Sequence, residues 1–243
     1  MTTTDYSEYW AALRVSHAAH PANRYRYELI TQELKRLNIK AGHVVDCGCG
    51  DGSLLEAIRK AIPCGELHGM DIAGNVPANA SAVVNLFRQQ DLGMPIPQSL
   101  HGQYDLVVCS EVIEHVPNDN VVIENVANLL HERGLLVLTT QSGRMYKTEL
   151  SLGHLRHYAI EDLCRRIVDA GFRIEEAYHC GWPFLNFQKI IAHIFQNTVQ
   201  NKIVHATTLS LPVRILFDTL HWLYRFGLRG HGPQIVIIAE KLT

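Results

Sequence analysis

The sequence predicts an α/β fold, a parallel sheet with helices on both faces. Three observations predict it. Val44 to Leu55 reads as a buried strand, a glycine turn and a helix start. An acidic residue, Asp71, closes the next apolar run. Short apolar runs then alternate with helix-spaced segments along the chain, which is βαβα order.

Composition sets the bounds. A length of 243 residues describes one large domain, or one domain with an insertion. Hydrophobic content of 47% and charged content of 19% suit a soluble chain with a sizeable core. The net charge is −2, with no long run of one sign, which argues against a DNA or RNA surface built on bulk charge. The six Cys form no disulfide framework, and Cys47, Cys49 and Cys109 fall at strand ends, so a reducing, cytoplasmic compartment fits. Met1 to Asp5 lacks the basic and apolar regions of a signal peptide, and no apolar run reaches membrane-spanning length.

Tyr27 to Leu37 reads as helix, with Leu29, Ile30, Leu34 and Leu37 at helical spacing. His43 to Cys47 is short, apolar and β-branched, which suits an interior parallel strand. Gly48, Gly50 and Gly52 allow positive φ and close approach of a ligand to the backbone. The helix that starts near Ser53 offers free N–H groups to that turn. Leu54 to Ile62 is the first crossover helix, stopped by Pro63-Cys64-Gly65. Glu66 to Asp71 is the second strand. Asp71 stands about 20 residues beyond the turn, where a carboxylate accepts ribose hydroxyls; its other reading is a helix N-cap. Ala73 to Ala80 carries Gly, Pro and two Asn, so a short or irregular helix is expected there.

Val83 to Gln89 is the third strand, Tyr104 to Cys109 the fourth and Gly134 to Thr140 the fifth. Val121 to Leu130 is helical between the last two. Ile160 to Ala170 is the next helix, ended by Gly171. Phe172 to Tyr178 and Gln234 to Glu240 are the final strands. The gap of about 55 residues between them is far longer than a hairpin loop. In it, Phe184 to Phe195 is apolar with helical spacing, and Ser210-Leu211-Pro212 looks like a capped helix start. Arg214, Asp218, His221 and Arg225 then fall on one face, and Ile215, Leu216, Leu220 and Leu223 on the other. The organisation read from this is a single domain, 1–243, with an N-terminal helical segment 1–42 and a helical cap at about 182–232. The cap is a lid over an apolar pocket, a peripheral membrane contact, or a homodimer or packing surface.

The glycine spacing departs from G-x-G-x-x-G, because the sixth position is Ser53. Asp46-x-Gly48-x-Gly50-x-Gly52 resembles the first motif of the class I S-adenosylmethionine methyltransferases. Ser110-Glu111-Val112-Ile113-Glu114-His115-Val116-Pro117 is similar to the stretch after the fourth strand in that family, and is the more characteristic of the two. The resemblance runs from about Arg24 to Glu240 and is nearest to the ubiquinone-biosynthesis O-methyltransferase group. It implies a Rossmann-like seven-stranded sheet, mostly parallel, with the last strand antiparallel beside the fifth. It implies S-adenosylmethionine as cofactor, held by Asp46, Gly48, Gly50, Asp71, Ile72 and Ser110, with Asp91 and the Leu92 backbone at the adenine. Arg24 or Tyr25 is implied at the cofactor carboxylate; the plain reading of His20 to Arg26 is a solvated basic stretch.

Methyl transfer is an in-line displacement, so the protein must align the reacting groups and exclude water. A hydroxyl acceptor must also lose its proton. Glu111, Glu114 and His115 after the fourth strand, and Gly153 to Tyr158 after the fifth, are placed for this. His115, His154 and His157 are the candidate bases, with Glu111 beside them, because imidazole titrates near neutral pH. If 111–115 is helical, Glu111, Glu114 and His115 lie near one face. With His154 they make a two-carboxylate, two-imidazole site for Mg²⁺ or another divalent cation. A similar Glu-x-x-Glu-His pattern with a later His serves as a metal site in small-RNA 2′-O-methyltransferases, and ubiquinone-pathway enzymes show a similar arrangement. Metal-free relatives resemble the stretch too. The acceptor so implied is a hydroxyl on a small apolar, lipid-linked or sugar-linked metabolite. Transfer to small RNA, transfer to an amine, and a non-catalytic cofactor-binding subunit remain as alternatives.

Overall fold

The computed structural model describes residues 17–74, 83–195 and 209–242. Its strands are β1 Ala41–Cys47, β2 Cys64–Asp71, β3 Leu86–Gln89, β4 Tyr104–Ser110, β5 Leu130–Gln141, β6 Phe172–Cys180 and β7 Gln234–Lys241. Its helices are α1 Pro21–Arg36, α2 Ser53–Ala61, α3 Asp119–Leu129, α4 Lys147–Ser151, α5 Ile160–Asp169, α6 Phe184–Ile194 and α7 Leu211–Tyr224. The seven strands form one sheet in the order β3-β2-β1-β4-β5-β7-β6. β1 to β5 run parallel, and β7 is antiparallel to both β5 and β6. The strand order reverses between β1 and β4, which opens a crevice at the C-terminal strand ends.

Alternation along the central strands builds two cores. Val45, Val107 and Leu136 pack on one face with Val126 and Leu163 from α3 and α5. Their neighbours Val44, Leu106 and Val137 pack on the other with Ile30, Leu34 and Leu55 from α1 and α2. Successive side chains of a strand point to opposite faces, so apolar runs without alternation are required here. Leu136, in a strand paired on both sides, has no exposed surface. Leu136→Ala is expected to cost about 2–5 kcal/mol, read as a lower urea midpoint with an unchanged slope.

Several boundaries differ from the sequence reading. α1 begins at Pro21 rather than Tyr27, because Pro at the first helical turn lacks only an N–H that has no partner there. β3 starts at Leu86, not Val83. Asn85 exchanges hydrogen bonds with Leu67 through its N–H (2.7 Å) and its side-chain oxygen (2.8 Å), which ends the backbone ladder. β5 is longer than expected and begins directly after α3. Residues 111–115 are not an α-helix: Glu111 has φ 57° and only Ile113–His115 makes a short 3₁₀ turn. The irregular segment expected at 73–80 lies, from 75 on, outside the described residues, as do 1–16 of the N-terminal segment and 196–208 of the cap.

α7 lies against α1 and buries Phe217, His221 and Tyr224. Asp218 pairs with Arg24 at 2.6 Å, and Glu28 receives His221 at 3.2 Å and Arg225 at 2.7 Å. Tyr224 is buried with Tyr25, Tyr178 and Leu185 in a third cluster. Ile215, Leu216 and Trp222 of α7, and Phe187, Ile191 and Ile194 of α6, are left exposed. No described helix is long and apolar enough to cross a membrane.

Candidate active site

The glycine turn follows β1 with Gly48, Gly50 and Gly52 at φ 83°, 50° and 75°. The N–H groups of Gly48 and Cys49 both donate to the Met70 carbonyl, at 2.7 and 3.0 Å, which folds the turn over the end of β2. A Cβ on Gly48 would run into the Val112 side chain. Asp71 accepts the Gly50 N–H at 2.8 Å on one oxygen and the Ala73 N–H at 2.9 Å on the other. A carboxylate offers about four acceptor positions, so pinning the turn is compatible with taking ribose hydroxyls.

Asp46 lies at the floor of this turn. It is buried, and its Oδ1 has no hydrogen-bond partner. Burial, reinforced by the negative charges of Asp71 and Asp51, pushes its carboxyl from 3.8 up to about 8. Burial also pushes Asp51 upward, but His17 at 3.4 Å and the Ser53 N–H at 3.0 Å outweigh it, and Asp51 stays below the usual range. A buried, partnerless carboxylate beside glycine backbone fits a ligand that brings a positive charge, as the α-ammonium of S-adenosylmethionine does.

The register of α1 separates Arg24 from its neighbours. Arg24 points to the cap and is held by Asp218, and Tyr25 packs edge-on against Tyr224. Arg24 and Tyr25 are thus engaged with α7, and Arg26 lies at the strand ends. It is buried, donates from Nε to Ser110 Oγ at 3.0 Å and from Nη2 to Asn23 Oδ1 at 2.9 Å, and stands 3.7 Å from Glu111. Ser110 also meets Thr139 Oγ1 at 2.9 Å. Ile72 is half-exposed just past β2. Asp91 is exposed and accepts the Gly93 N–H at 2.8 Å, while Leu92 is buried and its carbonyl accepts Asn125 Nδ2 at 3.0 Å. Asp91 keeps an exposed side chain just past the end of β3.

The acid and imidazole groups divide in two. Glu111 accepts Gln141 Nε2 at 2.7 Å and Gln234 Nε2 at 2.8 Å. Burial alone would raise its carboxyl, but Arg26 and the two amides hold it below the usual range. Glu114 is fully buried, accepts Thr140 Oγ1 at 2.9 Å and leaves Oε1 without a partner. Burial and then Glu111 push its carboxyl well above 4.5. Ligand atoms of Glu114, His115 and His154 lie within 4.8 Å of one another. Glu111 is outside that set, because its left-handed backbone turns the side chain toward β5 and β7. The four-residue cation site expected from sequence is thus a group of three.

His154 sits between the other two imidazoles, with ring centroids 4.7 Å from His115 and 5.5 Å from His157. Burial, then the His115 neighbour, lowers its pKa to about 4. Burial also lowers His115, against the pull of Glu111. His157 is lowered by burial and then by Lys189; its Nδ1 meets the Gly143 carbonyl at 3.2 Å. All three rings are pushed below the ordinary imidazole value, which favours the neutral form that can bind a cation. His154 Nδ1, like Glu114 Oε1, is buried with no hydrogen-bond partner. One carboxyl group and two imidazoles, with Glu114 Oε1 and His154 Nδ1 unpartnered, fit a divalent cation. Gln141, Gln234 and Arg26 were invisible as site residues in the sequence. Only the helical register from Pro21 carried a signal for Arg26.

The matched family model, described as a methyltransferase domain, covers residues 22–177. The ubiquinone biosynthesis O-methyltransferase of Xylella fastidiosa is 27% identical over 147 residues, 55% of this chain and 54% of that protein. The chain therefore aligns with only about half the length of such curated relatives. Among solved structures, the [4+2]-cyclase SpnF superposes with TM-score 0.59 at 16% identity, covering 89% of this chain and 81% of the other. The Haemonchus contortus phosphoethanolamine N-methyltransferase 2, solved with S-adenosyl-L-methionine, gives TM-score 0.56 at 16% identity over 100% of this chain and 61% of that one. These structural likenesses show the fold, and their different activities show that the fold does not choose the chemistry. The family match over more than half of the sequence does identify the machinery around the glycine turn: this chain belongs to the class I S-adenosylmethionine-dependent methyltransferases.

Proposed function

We propose that the chain moves a methyl group from S-adenosylmethionine to a hydroxyl of a small acceptor, with a divalent cation at Glu114, His115 and His154. The observation that carries this reading is the pair of unused buried donor atoms, Glu114 Oε1 and His154 Nδ1, at the C-terminal ends of the central strands. A cation bound there lowers the pKa of a coordinated hydroxyl. Three protein ligands leave positions open, which favours an acceptor with two adjacent oxygens. The names of the relatives, O-methyltransferases of ubiquinone biosynthesis, point the same way.

The chain's own groups divide the remaining work. Asp46 holds the cofactor's ammonium, Arg26 faces its carboxylate, and Asp71 takes its ribose hydroxyls. Asp91 and the Leu92 N–H stand at the adenine. His115 and His154, neutral at working pH, hold the cation or take the acceptor's proton; His157 keeps His154 in place through ring contact. The exposed apolar side chains of α6 and α7 support an apolar or lipid-linked acceptor, presented from a membrane surface or across a second copy of the chain.

The test is formation of S-adenosylhomocysteine from S-adenosylmethionine with catechol and with matched single phenols and amines, with Mg²⁺ or Mn²⁺ and after chelation. Catechol turnover that chelation removes is the expected result. Turnover confined to amines, or indifferent to chelation, overturns the reading.

A further inference from the structure

The cap helix α6 carries its charge on the side opposite to that of an ordinary surface helix. Its ionisable side chains are Lys189 and His193. Lys189 is turned inward, with 13% of its side chain exposed, while Phe187 and Ile194 stand in solvent at 60% and 66%. Lysine is among the residues least often buried, and then only with a partner. Removing an ammonium from water is costly unless the groups that receive it are charged and hydrogen-bonded to it.

The groups that receive Lys189 lead to both halves of the reacting site. Its ammonium donates to Glu149 Oε1 at 2.5 Å and to Gln141 Oε1 at 3.2 Å. Gln141 in turn donates to Glu111 at 2.7 Å. Glu149 is itself nearly buried and makes three links. Its Oε1 takes Lys189, its Oε2 takes the Tyr146 N–H at 2.6 Å, and its backbone carbonyl takes the His154 N–H at 3.0 Å. The next N–H along, from Leu155, goes to the Glu114 carbonyl at 2.9 Å. The backbone at His154 is thus strung between Glu149 and Glu114. Where Glu149 stands therefore sets where His154 stands relative to Glu114.

We propose that Lys189 is a positioning residue for the cation site: from the cap it fixes Glu149, and Glu149 fixes the backbone that carries His154. Without the ammonium, the nearly buried Glu149 carboxylate loses its counter-charge and turns toward water, drawing the start of α4 and the His154 loop with it. The inference rests on the cation reading at Glu114, His115 and His154. The link runs both ways, so seating of α6 and binding of the cation favour one another.

The experiment titrates Mn²⁺ into the full chain saturated with S-adenosylhomocysteine, followed by paramagnetic resonance. Lys189→Met removes the ammonium and keeps an unbranched side chain. Its Mn²⁺ affinity is expected to fall about ten-fold, as for a residue that orients a metal ligand. Lys189→Arg keeps the charge and is expected to retain most of the affinity. Both variants are expected to bind S-adenosylhomocysteine as the native protein does. Amide hydrogen exchange over residues 147–157 is expected to quicken about ten-fold in Lys189→Met, with β1 and the glycine turn unchanged. Glu149→Gln breaks the pair from the other side and is expected to give the same two changes; it decides the matter if Lys189→Met does not fold. The double variant is expected to lose no more than either single one. Native Mn²⁺ affinity with native exchange in Lys189→Met, additive losses in the double variant, or exchange that quickens across the whole sheet overturns the inference. If the native protein itself holds no Mn²⁺, the cation reading fails, and exchange over 147–157 decides the role of Lys189 by itself.

Discussion

Asp46→Asn is expected to weaken binding of S-adenosylhomocysteine by about ten- to a hundred-fold, the loss of a charged hydrogen bond. It is also expected to raise the melting temperature of the ligand-free protein at pH 8. Both effects have one cause. Asp46 is buried beside Asp71 and Asp51 with one oxygen unpartnered, and its carboxyl is pushed up to about 8. The ligand's ammonium supplies the missing charge, whereas an amide cannot match it. The sign for stability follows from the raised folded-state value. The native chain keeps a proton that the unfolded chain releases near 3.8. Stability from this group is therefore full below about 3.8 and is lost as pH rises through about 8. Asn stays neutral and removes that loss. For binding the sign is opposite: the ammonium favours the carboxylate, so association below about pH 8 releases a proton and affinity rises with pH toward 8. Calorimetry in buffers of different ionisation enthalpy reads the proton directly. A pH-independent affinity in the native protein, or unchanged binding by the Asn variant, would remove Asp46 from the cofactor site.

Glu114→Gln is expected to abolish cation-dependent methyl transfer, a fall of about 10²–10⁴-fold, with little change in melting temperature. The carboxyl is fully buried, and burial and then the Glu111 charge raise its pKa well above the usual carboxylate value, which favours the protonated form. Gln is close in shape to that neutral acid and can still accept from Thr140. What it cannot do is become an anionic ligand. His154→Ala should lose the same activity, and both variants should keep their affinity for S-adenosylhomocysteine. Titration with Mn²⁺, followed by paramagnetic resonance, checks the cation independently of turnover. Because the cation must displace the Glu114 proton, its affinity should fall as pH is lowered. Retention of Mn²⁺ by both variants would assign the three residues to packing.

Some of this molecule is written locally, and those parts were legible. Val44 to Ser53 forms a strand, a turn and a helix because β-branched residues favour the pleat and Gly48, Gly50 and Gly52 accept positive φ. Asp71 closes β2 for the same local reason, and its contact with Gly50 follows from parallel pairing of β1 with β2. The alternation of strands and helices carried the sheet. The family resemblance supplied the reversed last strand.

Other features needed the tertiary structure. Periodicity gave α7 two faces but could not say which residues turn inward; Glu28 of α1 takes His221 and Arg225 and Arg24 takes Asp218, so Phe217, His221 and Tyr224 are buried while Ile215 and Leu216 stay exposed. The same packing engages Arg24 with Asp218, while Arg26 meets Ser110 and Glu111. Glu111 and Glu114 have helical spacing, yet the left-handed backbone at Glu111 parts them. Gln234, which helps to hold Glu111, lies 123 residues away along the chain. Backbone conformation answers to a few neighbouring residues, so a linear reading recovers it. Which side chains meet across a sheet, a cap and a crevice is set by burial and charge pairing between distant segments, and only the folded chain brings those together.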